Sequence, residues 1–151
     1  MLFVVFRLGE DRYALNSREV VEVLPLVRIG RVPGAPPAIA GIILYRGVPV
    51  PVLDLKQLLT GSPSDYRAGT RVLIVDHRDM AGSTRRLGLI AERCTETLRR
   101  EPADFVSSGI VAPSHTARRV AVDGQGLIQQ LDLETLIPAE LAAHLHQDVE
   151  G

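Results

Sequence analysis

The sequence predicts a mainly β protein built as two small barrels that share one apolar seam. Three observations lead there. Short apolar runs recur between clusters of turn-forming residues, about five in each half of the chain. The pattern L-D-L-x-x-L followed by Leu or Ile stands at Leu53 to Leu59 and returns 78 residues later at Leu131 to Ile137. A strand end running into a capped helix is thus used twice, which reads as two similar halves. No segment has the length and period of the crossover helix that a parallel sheet needs.

Composition bounds the rest. One domain over residues 1–151 is expected, large enough to bury roughly 70% of its unfolded surface. An apolar content of 46% with 23% charged residues is that of a globular chain, not a disordered or membrane one. A net charge of −1 and 4% aromatic residues give no basis for nucleic-acid binding. Cys94 is the one cysteine, so there is no intramolecular disulfide and no marker of an oxidising compartment. Met1 to Phe6 is apolar but stops at Arg7, short of a signal-peptide core, and no run approaches the roughly 20 apolar residues of a membrane span. A cytoplasmic protein without direct membrane insertion is expected. Residues 124–151 hold five acidic residues and neither Lys nor Arg, which reads as a solvated tail face.

In chain order, Leu2 to Leu8 and Arg12 to Leu15 read as strands joined by the turn residues Gly9, Glu10 and Asp11. The first is nearly continuous in apolar residues, so it is expected to be covered on both faces. Glu19 to Leu24 is β-branched and sets Val21 and Val23 on one face, Val20 and Glu22 on the other. Pro33, Pro36 and Pro37 impose an extended or turning entry. Gly41 to Tyr45 and Val48 to Leu53 form a hairpin about Arg46-Gly47, with Gly47 supplying positive φ. Pro49 and Pro51 cannot donate to a ladder, so their strand lies at an edge or ends its pairing early. Asp54 caps a helix carrying Leu55, Leu58 and Leu59.

Residues 61–69 cluster turn formers without an apolar period, making them the best linker and a possible boundary between the halves. Strands follow at Arg71 to Val75 and Leu87 to Ala91, the latter continuing extended through Cys94 toward Leu98. Residues 99–116 lose regular pattern. Strand character returns at Arg119 to Val122 and Leu127 to Leu131, about the turn Gly124-Gln125-Gly126. Asp132 caps the second repeat's helix, and Pro138 opens a short terminal helix with Leu141 and Leu145 on one side.

Residues that could carry chemistry have simpler accounts. Asp54 and Asp132 are the obvious carboxylate pair for general acid and base work, but each is explained locally as a cap. His144 and His146 could offer two metal nitrogens, yet no further donors complete a tetrahedral set, and no metal or cofactor is expected. His77 and His115 lack a nucleophile, and Ser83 and Ser114 sit in loops with nothing to activate them. Arg93 could lower the Cys94 thiol, although a lone cysteine in an apolar strand is usually a small buried hydrophobe. Arg46 differs: at a hairpin corner it projects a planar donor fork toward solvent.

The succession P-x-x-P, G-I-I-L-Y-R-G and P-V-L-D-L between Pro33 and Leu55 resembles the core motif of the chemotaxis coupling protein CheW and CheW-like domains. Phe3 to Leu15 is similar to that family's opening hairpin, Val20 to Val23 to its next strand, and Leu87 to Leu98 to a strand pair of its second half. The resemblance implies two SH3-like five-stranded β-barrel subdomains packed together. It implies a non-catalytic adaptor, without cofactor, between a chemoreceptor's cytoplasmic helical tip and the regulatory domain of a CheA-type histidine kinase, recruited to membrane receptor arrays. Carried over by motif, Val20, Glu22, Gly41, Arg46 and Gly47 would face the receptor, with Val20 apolar and Glu22 and Arg46 setting register by charge. Val72 and Cys94 would lie at the edge facing the kinase. The competing reading is a small β-barrel enzyme using Asp54 and Asp132 in a shared cleft, or a domain binding only its own kind.

Overall fold

Strand after strand sends alternate side chains to two different interiors, and this period of two builds the molecule. The computed structural model describes residues 1–79, 81–110 and 119–145. The chain opens with β1 (Leu2–Leu8), β2 (Asp11–Asn16) and β3 (Val20–Pro25), then the hairpin β4 (Ile39–Tyr45) and β5 (Val48–Asp54), and α1 (Leu55–Thr60). There follow β6 (Arg71–Arg78), β7 (Thr84–Ala91), β8 (Glu96–Arg99) and the two-residue β9 (Val106–Ser107). Last come β10 (Arg119–Asp123), β11 (Gly126–Gln130), α2 (Leu133–Leu136) and α3 (Ala139–Ala142).

Two sheets result. The first runs β8-β1-β2-β11-β10-β9 and the second β3-β6-β7-β5-β4. The second closes on itself: the chain leaving β3 brings Gly30 against Ile42 of β4, where the two residues exchange backbone hydrogen bonds of 2.8 Å each way. Phe3, Val5, Ala14, Phe105, Ala121 and Ile128 fill the first barrel, and Ile43, Val50, Val52, Val72, Ile74 and Ile90 fill the second. The intervening residues of the same strands point the other way. Val4, Phe6 and Leu8 from β1, Leu73 and Val75 from β6, and Leu87, Leu89 and Ala91 from β7 meet in the seam between the barrels. The mainly β architecture of two packed subdomains read from sequence is therefore observed, with six strands in the first sheet where five were expected and five in the second, and β1 is covered on both faces.

The repeat holds in detail. Asp54 accepts a hydrogen bond from the Gln57 N–H at the start of α1, and Asp132 from the Glu134 N–H at the start of α2. Both strands before these caps also make the parallel pairings of their sheets, β5 with β7 and β11 with β2. β5 joins β7 only over Val52 to Asp54, so its Pro49 and Pro51 stretch pairs with β4 alone, as two missing donors require.

Three expectations are corrected. Residues 61–69 do not divide the barrels, because β3, β4 and β5 before them share one sheet with β6 and β7 after them. That segment is tied down, with the Ser64 N–H and hydroxyl donating to Asp54 and the Asp65 N–H donating to Glu92. The acidic end is no solvated tail over its described length: β11 pairs with β2, and Leu131, Leu133, Leu136, Leu141 and Leu145 are buried in the seam. The chain does not stay extended through Cys94 either. β7 stops at Ala91, Arg93 takes a φ of 44°, and β8 begins at Glu96. His115, Ser114 and His146 lie outside the described residues.

Candidate functional site

The hairpin joining β4 to β5 turns in two residues, and both lie in the left-handed region, Arg46 at φ 51° and Gly47 at φ 79°. That is the turn whose twist matches the flanking strands. Its geometry fixes Arg46 at the corner with 75% of its side chain exposed. Across the barrel, Glu22 of β3 reaches the same corner. One of its oxygens, Oε1, accepts from the Tyr45 hydroxyl at 2.6 Å and from Arg46 Nη2 at 3.0 Å. These bonds, Tyr45's first and then Arg46's, hold the Glu22 carboxyl below the usual carboxylate range. The bond to Glu22 in turn pushes the Tyr45 hydroxyl up.

Two guanidinium groups lie over the Tyr45 ring, that of Arg46 at 5.3 Å and that of Arg86 at 5.7 Å from its centroid. Arg86 comes from β7 and donates through Nε to Asp76 of β6 at 3.2 Å. Asp76 and Arg86 are directly paired in the β6–β7 register. Beside this corner lies a cleft of about 530 Å³ bordered by Tyr45, Arg46, Pro49, Pro51, Asp76 and Arg86. The outer face of β4 continues it as apolar surface, with Leu44 opposite Pro49 and Ile42 opposite Pro51.

Of the residues nominated from sequence, Glu22, Arg46 and Gly47 meet at this corner, Gly41, Val72 and Cys94 are buried, and Val20 is half-buried. Val20 faces inward and packs on the seam, while Val21 and Val23 are the exposed face of β3, 44% and 43% accessible. A register shift between Val20 and Glu22 accompanies this orientation. Gly41 is buried at barrel closure: a Cβ there would stand 2.0 Å from the Gly30 carbonyl oxygen, at a φ of +147°. Val72 is fully buried on an interior strand between β3 and β7, not at an edge. Cys94 is buried after β7, and burial pushes its thiol up to about 11, overriding the nearby Arg71. Conversely, Tyr45, Asp76 and Arg86 were not legible as site residues. The parallel β5–β7 pairing sets Arg86 beside a hairpin forty residues before it in the chain, and the β6–β7 register sets it opposite Asp76.

The two aspartates stay apart in role. Asp54 is buried and spent on the Gln57 N–H and on the N–H and hydroxyl of Ser64, whereas Asp132 serves α2. Asp54 borders a groove lined by Arg28, Ile29, Pro36 and Tyr66, and Asp132 is not part of that lining. Among the described residues no three His, Cys, Asp or Glu stand close enough to hold a metal ion, and no helix is long and apolar enough to cross a membrane.

Two barrels fused through a common core, with a charged corner on one of them, define a double-barrel β domain of the SH3-like kind. The chain belongs to the CheW-like domain family, whose model matches residues 2–141. It is 34% identical over 77 residues to the chemotaxis protein CheW of Bacillus subtilis, covering 51% of this chain and 49% of that protein. It is 26% identical over 103 residues to the CheW of Helicobacter pylori, covering 68% and 59%. Protein PilI of Pseudomonas aeruginosa is 35% identical over 75 residues, covering 50% and 42%. The chain thus spans about half the length of the curated relatives it matches. Among solved structures, the scaffolding protein TtCheW of Thermoanaerobacter tengcongensis superposes with a TM-score of 0.76 at 26% identity, covering 93% of this chain and 89% of that one.

Proposed function

We propose that the protein is a non-catalytic adaptor of a chemosensory pathway, joining the cytoplasmic helical tip of a chemoreceptor to the regulatory domain of a CheA-type histidine kinase. The observation that carries this reading is the CheW-like match across residues 2–141. The adaptor acts as one domain over residues 1–151, in the cytoplasm at receptor arrays, and requires no cofactor. Its receptor-facing surface is the corner of Glu22, Arg46 and Gly47; Val20 packs inward, and Val21 and Val23, on the opposite face of β3 from Glu22, lie outside it. Arg46 sets register by charge, because a guanidinium bound to Glu22 through one nitrogen keeps other N–H donors for a partner carboxylate or carbonyl. The kinase contact falls on exposed strand faces, since Val72 and Cys94 have no surface to give.

Co-sedimentation with a receptor signalling fragment and a CheA-type kinase, wild type beside Arg46→Glu, tests the proposal. Charge reversal at the corner is expected to weaken receptor binding by at least about tenfold with an unchanged melting temperature. A double swap, Glu22→Arg with Arg46→Glu, restores an internal pair of opposite polarity and is expected to leave receptor binding lost. Full binding by either variant removes Arg46 from the contact.

A further inference from the structure

The charged corner holds more than the turn motif accounts for. Arg46 and Arg86 arrive from different hairpins, yet both guanidinium groups lie over the one Tyr45 ring, at 5.3 and 5.7 Å. Each is held by its own carboxylate through one nitrogen, Arg46 by Glu22 and Arg86 by Asp76. Neither partner is bidentate, so each guanidinium keeps unused N–H donors. Arg86 and Asp76 are 43% and 41% exposed, so those donors are open to solvent. The ring and the two carboxylates thus fix two cations in place before any partner arrives, which lowers the ordering cost of binding. Beside them runs the apolar strip of Ile42, Leu44, Pro49 and Pro51.

We infer that Arg46 and Arg86, held over Tyr45, form a two-cation carboxylate clamp, and that Arg86 selects receptor helices carrying an acidic residue beside an apolar stripe. The inference rests on the receptor reading above and adds Arg86 as a specificity-determining residue and Tyr45 as a positioning one. The unused N–H donors identify the occupant, since each cation is already balanced by one carboxylate yet keeps donors for another. Two fixed cations next to an apolar strip fit the carboxylate edge of an amphipathic helix, which lays its apolar face on the strand surface and its acid against the guanidiniums.

Titration of the full chain against a chemoreceptor signalling-tip fragment, at low and high salt, tests this with wild type, Arg86→Gln and Tyr45→Phe. Arg86→Gln is expected to bind about threefold to fivefold more weakly at low salt, the size of an exposed ion pair. The difference should close near 1 M salt, where screening acts over about 3 Å. A fragment whose acidic residues are changed to amides should bind wild type and Arg86→Gln alike. Tyr45→Phe keeps the ring but frees Glu22 from one bond, and the Glu22 carboxyl should then titrate higher by NMR than in wild type, a readout that mere loss of stability does not move. Equal binding by Arg86→Gln and wild type at low salt overturns the clamp while leaving the receptor reading intact. Failure of wild type to bind the fragment at all overturns both.

Discussion

Gly41 shows how much one residue can decide. The motif G-I-I-L-Y-R-G invites a reading in which its glycine touches a partner, but the structure gives that glycine an internal duty. A methyl group at position 41 would meet the Gly30 carbonyl oxygen at 2.0 Å, where the barrel closes through the Gly30–Ile42 bonds. Gly41→Ala is therefore expected to cost about 3 kcal/mol or more from backbone strain and a broken bridge. For a domain of this size that lowers the melting temperature by roughly 6–12 °C, measurable by calorimetry. A melting temperature equal to wild type would return Gly41 to the surface contact. Arg46 is the opposite case: its place at a two-residue turn was legible from Gly47 alone, because that turn needs positive φ. That it shares the ring of its neighbour Tyr45 with Arg86 was not legible, since Arg86 is brought there by strand register rather than by spacing.

Elements are fastened to one another by a few buried polar ties. Arg12 of β2 is 2% exposed and pairs with Asp123 at the end of β10 through two hydrogen bonds, while also donating to the Gly126 carbonyl at 3.1 Å. This clasp fixes the β10–β11 hairpin against β2, alongside the short parallel ladder of Ile128 to Gln130. The Arg12 guanidinium holds the Asp123 carboxyl down at about 2, against an ordinary 3.8. A carboxylate depressed in the folded state contributes stability that is complete above its unfolded value and is lost as pH falls toward its folded one. Wild type should accordingly lose urea resistance between about pH 4 and pH 2, and Asp123→Asn should lack that component. At pH 7 the same substitution is expected to cost about 1–2 kcal/mol, because it replaces a charge-assisted pair with an amide oxygen while Arg12 keeps its bond to the Gly126 carbonyl. Parallel urea curves for the two proteins down to pH 2 would exclude the clasp. The helix caps were visible in sequence because a cap is local; this clasp spans more than a hundred residues and was not.

At the scale of the whole molecule, the seam makes the two barrels one object. Its largest contributors come from β1, β6, β7 and the segments around α2 and α3, so neither half of the chain can bury its own share alone. Expressed separately, residues 1–65 and 66–151 should each lack a cooperative thermal transition by circular dichroism, because the cut divides the sheet holding β3 to β7. A cooperative melt from either piece would restore the boundary read from residues 61–69. The adaptor reading gains physical sense here: a scaffold that positions two partners must not flex between its docking faces, and a shared apolar core supplies that stiffness.

The amino-acid order alone determined the strand character, the turns, the two capped helices and the repeat, since each rests on alternation, proline and glycine chemistry or a capping side chain within a few residues. It also carried the family motif about Arg46-Gly47. Only the tertiary structure decided which face of each strand is outside, which strands share a sheet, and which side chains meet at the corner. These depend on register between distant strands, and a shift of one residue in register exchanges the buried and exposed faces without altering any local pattern. Val20 and Val21 exchanged places on that account, Val72 and Cys94 withdrew into the interior, and Arg86 came to stand over Tyr45.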